Sequence, residues 1–317
     1  MTAGGEALSE SVARARLRHQ LARLRASTRH FFGRRDGLVG GIILLIFGVL
    51  ALFPELLVGP LENVVTSTGS PFESPSATHI FGTDRQGRDM LNLTVHGTRV
   101  SMIIGLLATA ITVLIGAVIG IVSGFLGGRT DTVLMRITDF FLVLPTFVLA
   151  LILAPILIEV IGAQAQILGM RVTLVVIVIV IGITSWASTA RIIRSQTLSL
   201  RERAFVDRSR VVGAGPSWIM RRHILPNVVN LIVANTVIIF AGAVLTETTL
   251  AFIGLGDPFQ PSWGQLLNQA QADGAASLGA WWVVAPPGAS IILVVLAFTL
   301  VGGALDDILN PKLRGRR

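Results

Sequence analysis

The sequence predicts an all-α polytopic membrane protein with six transmembrane helices, and three observations lead there. Of 317 residues, 52% are hydrophobic and only 14% charged, with a mean hydropathy of +0.73, which points to hydrocarbon rather than water as the solvent. Six apolar runs are each long enough, at about 20 residues, to carry a helix across roughly 30 Å of hydrocarbon. The positive residues are unevenly divided: 22 of the 26 fall on alternate connections, leaving only Arg85, Arg88, Arg99 and Arg171 for the other side.

In chain order, residues 1–36 form a basic cytoplasmic segment with eight arginines, in which Leu17, Leu21 and Leu24 recur at helical spacing. This reads as a basic amphipathic helix on the cytoplasmic surface of the membrane, with a solvated tail as the alternative before about Leu17. No small-residue cleavage site follows the first apolar run, so that run is expected to be an uncleaved anchor. A six-span domain then occupies 37–310, with spans at about 38–57, 101–125, 133–158, 172–192, 228–252 and 285–305, before a basic cytoplasmic tail at 311–317. The run VTLVVIVIVIGI from Val172 has the content of a buried strand, but its length and company make it a membrane helix. Six spans put both termini on one side, and the charge count makes that side cytoplasmic.

The connection from Pro54 to Gly97 is expected on the outer side. In it Thr83 or Asp84 is suited to cap a short helix, and Asp84 lies one helical turn from Arg88. His79, Asp84 and Asp89 are metal-ligating types without a recognised ligand spacing, so a structural role is expected and no metal site. Gly116, Gly120 and Gly124 form a small-residue stripe that lets another helix approach closely, in this chain or in a partner. Pro145 and Pro155 are placed to bend the third span. Asp139 and Glu247 sit toward the ends of the third and fifth spans, where pairing or hydrogen bonding near an interface is expected; a proton relay is the sharper alternative. Asn235, Thr236, Thr246 and Glu247 are candidates for lining a pathway, and polar residues there can equally bond a neighbouring helix. Gly254 to Pro287, with Trp263, Trp281 and Trp282, is expected to be an irregular outer loop over the pathway mouth, its aromatics at the interface.

Between the fourth and fifth spans lies LRERAFVDRSRVVGAGPSWIMRRHILPN, from Leu200 to Asn227, with six arginines. Ser199 and Glu202 have capping-box spacing, so a short helix is expected from there to about Val212. Gly213-Ala214-Gly215 breaks it, and Pro216 opens a second short helix that should run until Pro226 disturbs it. On the first helix Arg203, Asp207 and Arg210 share a charged face, while Phe205, Ser209 and Val212 share one that can pack.

This spacing resembles the cytoplasmic signature of ABC-importer permeases: Glu-Ala-Ala, three residues, Gly, nine residues, then Ile-x-Leu-Pro. Asp207-Arg208-Ser209 take the Glu-Ala-Ala positions, Gly213 the glycine, and His223-Ile224-Leu225-Pro226 the end, with Arg208 and Ser209 in place of alanines and His223 in place of isoleucine. The stretches HIFGTDRQGRD, GFLGGRTDTVLMRITD, LTETTLAFIGLGDPFQPSWGQLL and LDDILNPKLR extend the resemblance, to the C-type permease subunit of dipeptide/oligopeptide ABC transporters, over nearly everything after residue 35. The resemblance implies a type I ABC importer permease fold with a cytoplasmic coupling helix that docks on a separate ATPase through Arg203, Phe205, Asp207, Arg208, Arg210, Gly213, Ala214 and Pro226. It implies a permease subunit of an ATP-driven, binding-protein-dependent peptide importer in the bacterial cytoplasmic (inner) membrane. Half of the translocation pathway would come from this chain and half from a second homologous permease, expected to make a heterodimer, with two ABC ATPase subunits and an extracytoplasmic peptide-binding protein.

Several classes are excluded. Cysteine is absent, which removes disulfides, thiol catalysis and cysteine-ligated metals. The one lysine is Lys312, so no phosphate loop can exist, and ATP and Mg are expected on the partner ATPases with no cofactor in this chain. Five histidines form no His-Glu-x-x-His motif and there is no Gly-x-Ser-x-Gly, so an enzyme is not expected. Membrane topology accounts for the net charge of +8 better than nucleic acid does. The rival class is an ion-coupled secondary carrier using the intramembrane acids Asp139 or Glu247, against which stands the lack of a broken-helix ion site.

Overall fold

The computed structural model describes residues 34–309, except 65, 163, 164 and 168; the expected N-terminal amphipathic helix and the basic tail at 311–317 lie outside the described residues. The described residues are mostly helical: α1 (Arg35–Leu52), α2 (Pro54–Val58), α3 (Leu61–Val64), α4 (Met90–Leu126), α5 (Gly128–Val143) and α6 (Thr146–Ile161) come first. A two-residue hairpin, β1 (Gln166–Ile167) and β2 (Met170–Arg171), leads to α7 (Val172–Arg201), α8 (Ala204–Val211) and α9 (Pro216–Ile219). A π-turn, Met220–Ile224, joins α9 to α10 (Leu225–Leu250); a second, Ala251–Leu255, precedes α11 (Trp263–Ala272) and α12 (Trp281–Leu309). Among the described residues five helices are long and apolar enough to span a membrane, and a sixth span results if α5 and α6, bent by 89° at their junction, count as one.

The third span is therefore broken rather than bent. Pro145 cannot donate a backbone hydrogen bond, and at φ −58° it begins α6, while Pro155 is accommodated inside that helix. The second span is longer than its apolar run. At 37 residues α4 is about 55 Å long, well beyond the hydrocarbon thickness, so its first turns stand clear of the membrane. Its cap is Asp89, whose carboxylate accepts from the Leu91 and Asn92 amides. The expected caps do something else: Asp84 accepts from the Gln86 and Arg88 amides and pairs with Arg88 Nε at 2.6 Å, closing a turn, and the Thr83 hydroxyl donates to Ser70 O. Asp84, Asp89 and His79, which meets the Thr68 hydroxyl, are thus all engaged in holding this segment together.

The glycine stripe finds its neighbour within the chain. A Cβ on Gly116 would come 2.6 Å from Thr189, on Gly120 2.6 Å from Ala190 O, and on Gly124 2.8 Å from Thr197, all on α7. Helices α4 and α7 form the most extensive pair of the fold, and Ile104, Ala108, Ala150, Ala154, Ile177 and Ile181 extend that seam to α6. Arg99, one of the few cations on its side, caps the end of α1: its guanidinium donates to Ala51 O, Leu52 O and Glu55.

The segment from Gly254 to Pro287 departs most from expectation. It contains a ten-residue helix, α11, capped by the Ser262 hydroxyl, and Pro286 and Pro287 lie inside α12. Trp263 is fully buried rather than interfacial, edge-on to Phe47 with centroids 5.7 Å apart and its Nε1 donating to Thr94 O. Trp281 alone of the three tryptophans is well exposed, as a belt residue would be.

Candidate functional site

The helix-turn-helix between α7 and α10 is built onto the end of the bundle. The expected capping box does not form: α7 runs through Ser199 to Arg201, and Arg203 precedes α8 without a side-chain cap. Tertiary packing overrides the local signal, because Ile193, Thr197 and Leu200 continue the buried stripe of α7 and keep Ser199 helical on its exposed side. Val206 of α8, Ile219 of α9 and Ile224 are completely or almost completely buried against Ile121, Phe125, Leu200 and Val228. The element is thus anchored to α4, α7 and α10 together.

Gly213 makes the turn. At φ +84° it occupies the left-handed region, where a Cβ is strained. Its amide bonds Arg210 O at 2.9 Å and the Ala214 amide bonds Ser209 O at 3.0 Å, the double closure of a Schellman motif. Pro216 then starts α9 as expected, but Pro226 does not end that helix. The chain widens into the π-turn, where the Leu225 amide reaches back to Met220 O, and continues unbroken into α10. The wider turn relieves the clash of the Pro226 ring with the preceding carbonyls. His223 sits at the centre: its Nε2 meets the Ser209 hydroxyl at 3.2 Å, and its ring contacts those of Phe205 and Trp218.

The outward face is mixed. Arg203, Asp207, Arg208 and Arg210 are exposed; Asp207 pairs with Arg210 at 3.1 Å, and the Arg210 guanidinium lies over the Phe125 ring at 5.7 Å. Val212 does not join Phe205 and Ser209 in packing. It is 84% exposed beside Val211 at 90%, while the buried contact comes from Val206, which the face assignment missed. Two shallow hollows flank Trp218, one of about 420 Å³ lined by Ser209, Val212, Gly213, Ala214 and Gly215, the other of about 370 Å³ lined by Ser217, Arg221 and Arg222.

The polar residues of the spans separate into two groups. Asn235 is buried and donates to the Thr189 hydroxyl on α7 at 3.0 Å, and Glu247, 1% exposed, faces the hydroxyls of Thr248, Ser101 and Ser262. Thr236 and Thr246 are half-buried and return their hydroxyls to their own helix, at Ile232 O and Gly242 O. Asp139 pairs with Arg191 at 2.6 Å. Residues 116–315 match the sequence profile of the binding-protein-dependent transport system inner membrane component.

The chain belongs to that family. This permease is 33% identical to the oligopeptide transport system permease protein OppC of Bacillus subtilis strain 168, over 90% of its own length and 88% of that protein. It is also 33% identical to the di/tripeptide transport system permease protein DppC of Pseudomonas aeruginosa strain UCBPP-PA14, covering 89% and 90% of the two chains. Its fold is similar to a chain of the MetNI methionine ABC transporter in an inward-facing conformation, with a TM-score of 0.53 at 18% identity over 70% of this chain and 97% of that one. The type I importer permease fold inferred from the motifs is therefore the fold of this permease, an inner-membrane transport subunit.

Proposed function

We propose that this permease forms half of the translocation pathway of an ATP-driven, binding-protein-dependent peptide importer, and that separate ATPase chains drive it through the helix-turn-helix of α8 and α9. One observation carries the reading. An apolar tip, Val211 and Val212, projects from an element anchored by Val206, Ile219 and Ile224 and rimmed by arginines. Exposed valines on a membrane protein's aqueous side are costly unless a partner covers them. A chain whose only lysine is Lys312 has no phosphate loop of its own, so the partner that binds ATP and Mg is another chain.

On this reading both termini and the helix-turn-helix are cytoplasmic, in keeping with the distribution of arginines. A second permease of the same family, making a heterodimer, faces this one across the pathway. An extracytoplasmic binding protein delivers peptide at the end that carries α11. Peptide is the cargo because the relatives at about one-third identity are named for peptides. Closure of the ATPases on ATP shifts α8 and α9 as a unit. Because α7 is joined to that unit through only two residues and α10 runs on from it, the fourth and fifth spans turn with it and the pathway opens outward. Phe205 and Ala214 hold the unit from within, Arg203, Asp207, Arg208 and Arg210 form its rim, Gly213 sets its turn, and Pro226 sets its exit into α10. Thr236 and Thr246 are assigned to the pathway face, and Asn235 and Glu247 hold α10 to its neighbours.

The test is purification from native membranes in mild detergent followed by reconstitution. Two ATPase chains should co-purify, the complex should take up labelled di- or oligopeptide only with ATP and binding protein, and the isolated chain should bind no nucleotide. Uptake by the isolated chain driven by a proton gradient would instead establish the ion-coupled carrier.

A further inference from the structure

We propose that Asp131 and Arg194 are a positioning pair that braces α5 against the last turns of α7, so that the first half of the third span moves with the helix-turn-helix. The inference rests on the coupling role proposed above. The Asp131 carboxylate accepts from both Nε and Nη2 of Arg194, each at 2.6 Å, a bidentate pair with side chains only 19% and 30% exposed. Two further contacts follow along the same pair of helices: Asp139 with Arg191 at 2.6 Å, and Phe141 against Trp186 with ring centroids 5.3 Å apart. Residues 131, 139 and 141 thus meet 194, 191 and 186 in order, as antiparallel neighbours do.

The location gives the contact its consequence. Only Glu202 and Arg203 separate the end of α7 from α8, so any force applied to the helix-turn-helix enters α7 at its last turns. One side of those turns is fixed by packing, where Gly120 and Gly124 of α4 sit directly on Ala190 O, Ile193 and Thr197. The other side is held by α5, at these last turns through the ion pairs of Arg191 and Arg194. The turn into α5 is pinned as well: Gly127, at φ +68°, leaves room for the Arg201 guanidinium, which a Cβ would approach to 2.5 Å. At its far end α5 breaks from α6 with an 89° bend at Leu144–Pro145. A helix held to α7 along its length and set off from α6 by a sharp bend has the geometry of a lever.

Charge accounts for what apolar packing would not. Hydrophobic residues could hold α5 at least as firmly, since the desolvation of an ion pair offsets much of its attraction. A fork-to-carboxylate pair instead fixes one register and one orientation, because both N–H bonds must be met at once. Register is what a lever needs.

The experiment uses the complete reconstituted complex with Asp131→Arg, Arg194→Asp and the double reversal. Each single reversal is expected to lower peptide uptake per ATP hydrolysed by about fivefold or more, in the range of coupling effects from sites remote from ligand, while ATPase co-purification and the unfolding temperature of the complex stay near wild type. The double reversal should recover most of the loss, which a merely structural site would not require of the transport ratio. If a reversal does not reach the membrane, Asp131→Asn and Arg194→Lys carry the same expectation at smaller size, because each breaks the bidentate geometry without reversing charge. Wild-type uptake per ATP in the single variants, or a double variant no better than the worse single, would overturn the brace. Should the wild-type complex itself lack ATP-driven uptake, the coupling role fails instead, so the two failures are distinguishable.

Discussion

Gly213 and Gly215 lie two residues apart in the same turn, and a Cβ on either would meet nothing within 4 Å. They differ in backbone: Gly213 has φ +84°, whereas Gly215 has φ −69° and ψ 157°, an extended conformation that any residue adopts. Space is therefore not the variable, and conformation is. Forcing an alanine into the left-handed region costs about 1–2 kcal/mol, and a β-branched residue roughly 2–3 kcal/mol. At about 2 kcal/mol the native turn is disfavoured by about 30-fold relative to alternatives. The bonds that hold it, from the Gly213 and Ala214 amides to Arg210 O and Ser209 O, are near the surface and exchange readily with water. Gly213→Val should therefore redirect α9 while leaving the spans intact. The expected outcome is normal membrane abundance, with ATPase chains lost from the purified complex, or retained with hydrolysis uncoupled from uptake. Gly215→Ala should be neutral within about 0.5 kcal/mol and couple normally. Arg210→Ala should fall between, since its pair with Asp207 is exposed and worth little. Wild-type uptake and ATPase stimulation in Gly213→Val, or equal damage from Gly215→Ala, would refute the argument from φ.

Replacing Val211 and Val212 by serine should leave the unfolding temperature unchanged, because both side chains are exposed, yet weaken ATPase binding by about tenfold per valine if each is buried on docking; titration of purified ATPase onto the reconstituted permease measures this. Gly120→Leu should be excluded from the α4–α7 seam, where even a Cβ would approach Ala190 O to 2.6 Å, and should cost about 1–3 kcal/mol with reduced membrane abundance. Gly242→Ala, on a helix face with nothing within 4 Å, should not. Single cysteines placed in this cysteine-free chain at Ser76 and Gln271, both exposed, should react with impermeant reagents from outside intact cells, and one at Ser217 only after the membrane is opened; external labelling at Ser217 would reverse the orientation.

Much of this architecture is legible residue by residue. Spans can be read from hydropathy because lipid demands about 20 apolar residues whatever the neighbours are. The turn at Gly213 can be read because its requirement is local, a left-handed residue after a short helix. The motif spacing from Asp207 to Pro226, together with the stretches on either side of it, points to the family by sequence alone. What sequence could not decide was every question of which face meets which. Ser199 carries a good capping signal but belongs to α7, because Thr197 and Leu200 beside it are buried against another helix. Trp263 has the composition of an interfacial belt and is instead buried among Phe47, Val244, Ile291 and Val294, with its Nε1 on Thr94 O of α4. The glycine stripe announces a close neighbour without naming it, and only packing identifies α7. Asp131 gave no signal at all, being one carboxylate among arginines 63 positions from its partner. Propensity, capping and hydropathy act over a few residues along the chain, whereas burial and ion pairing are set by what folding brings alongside.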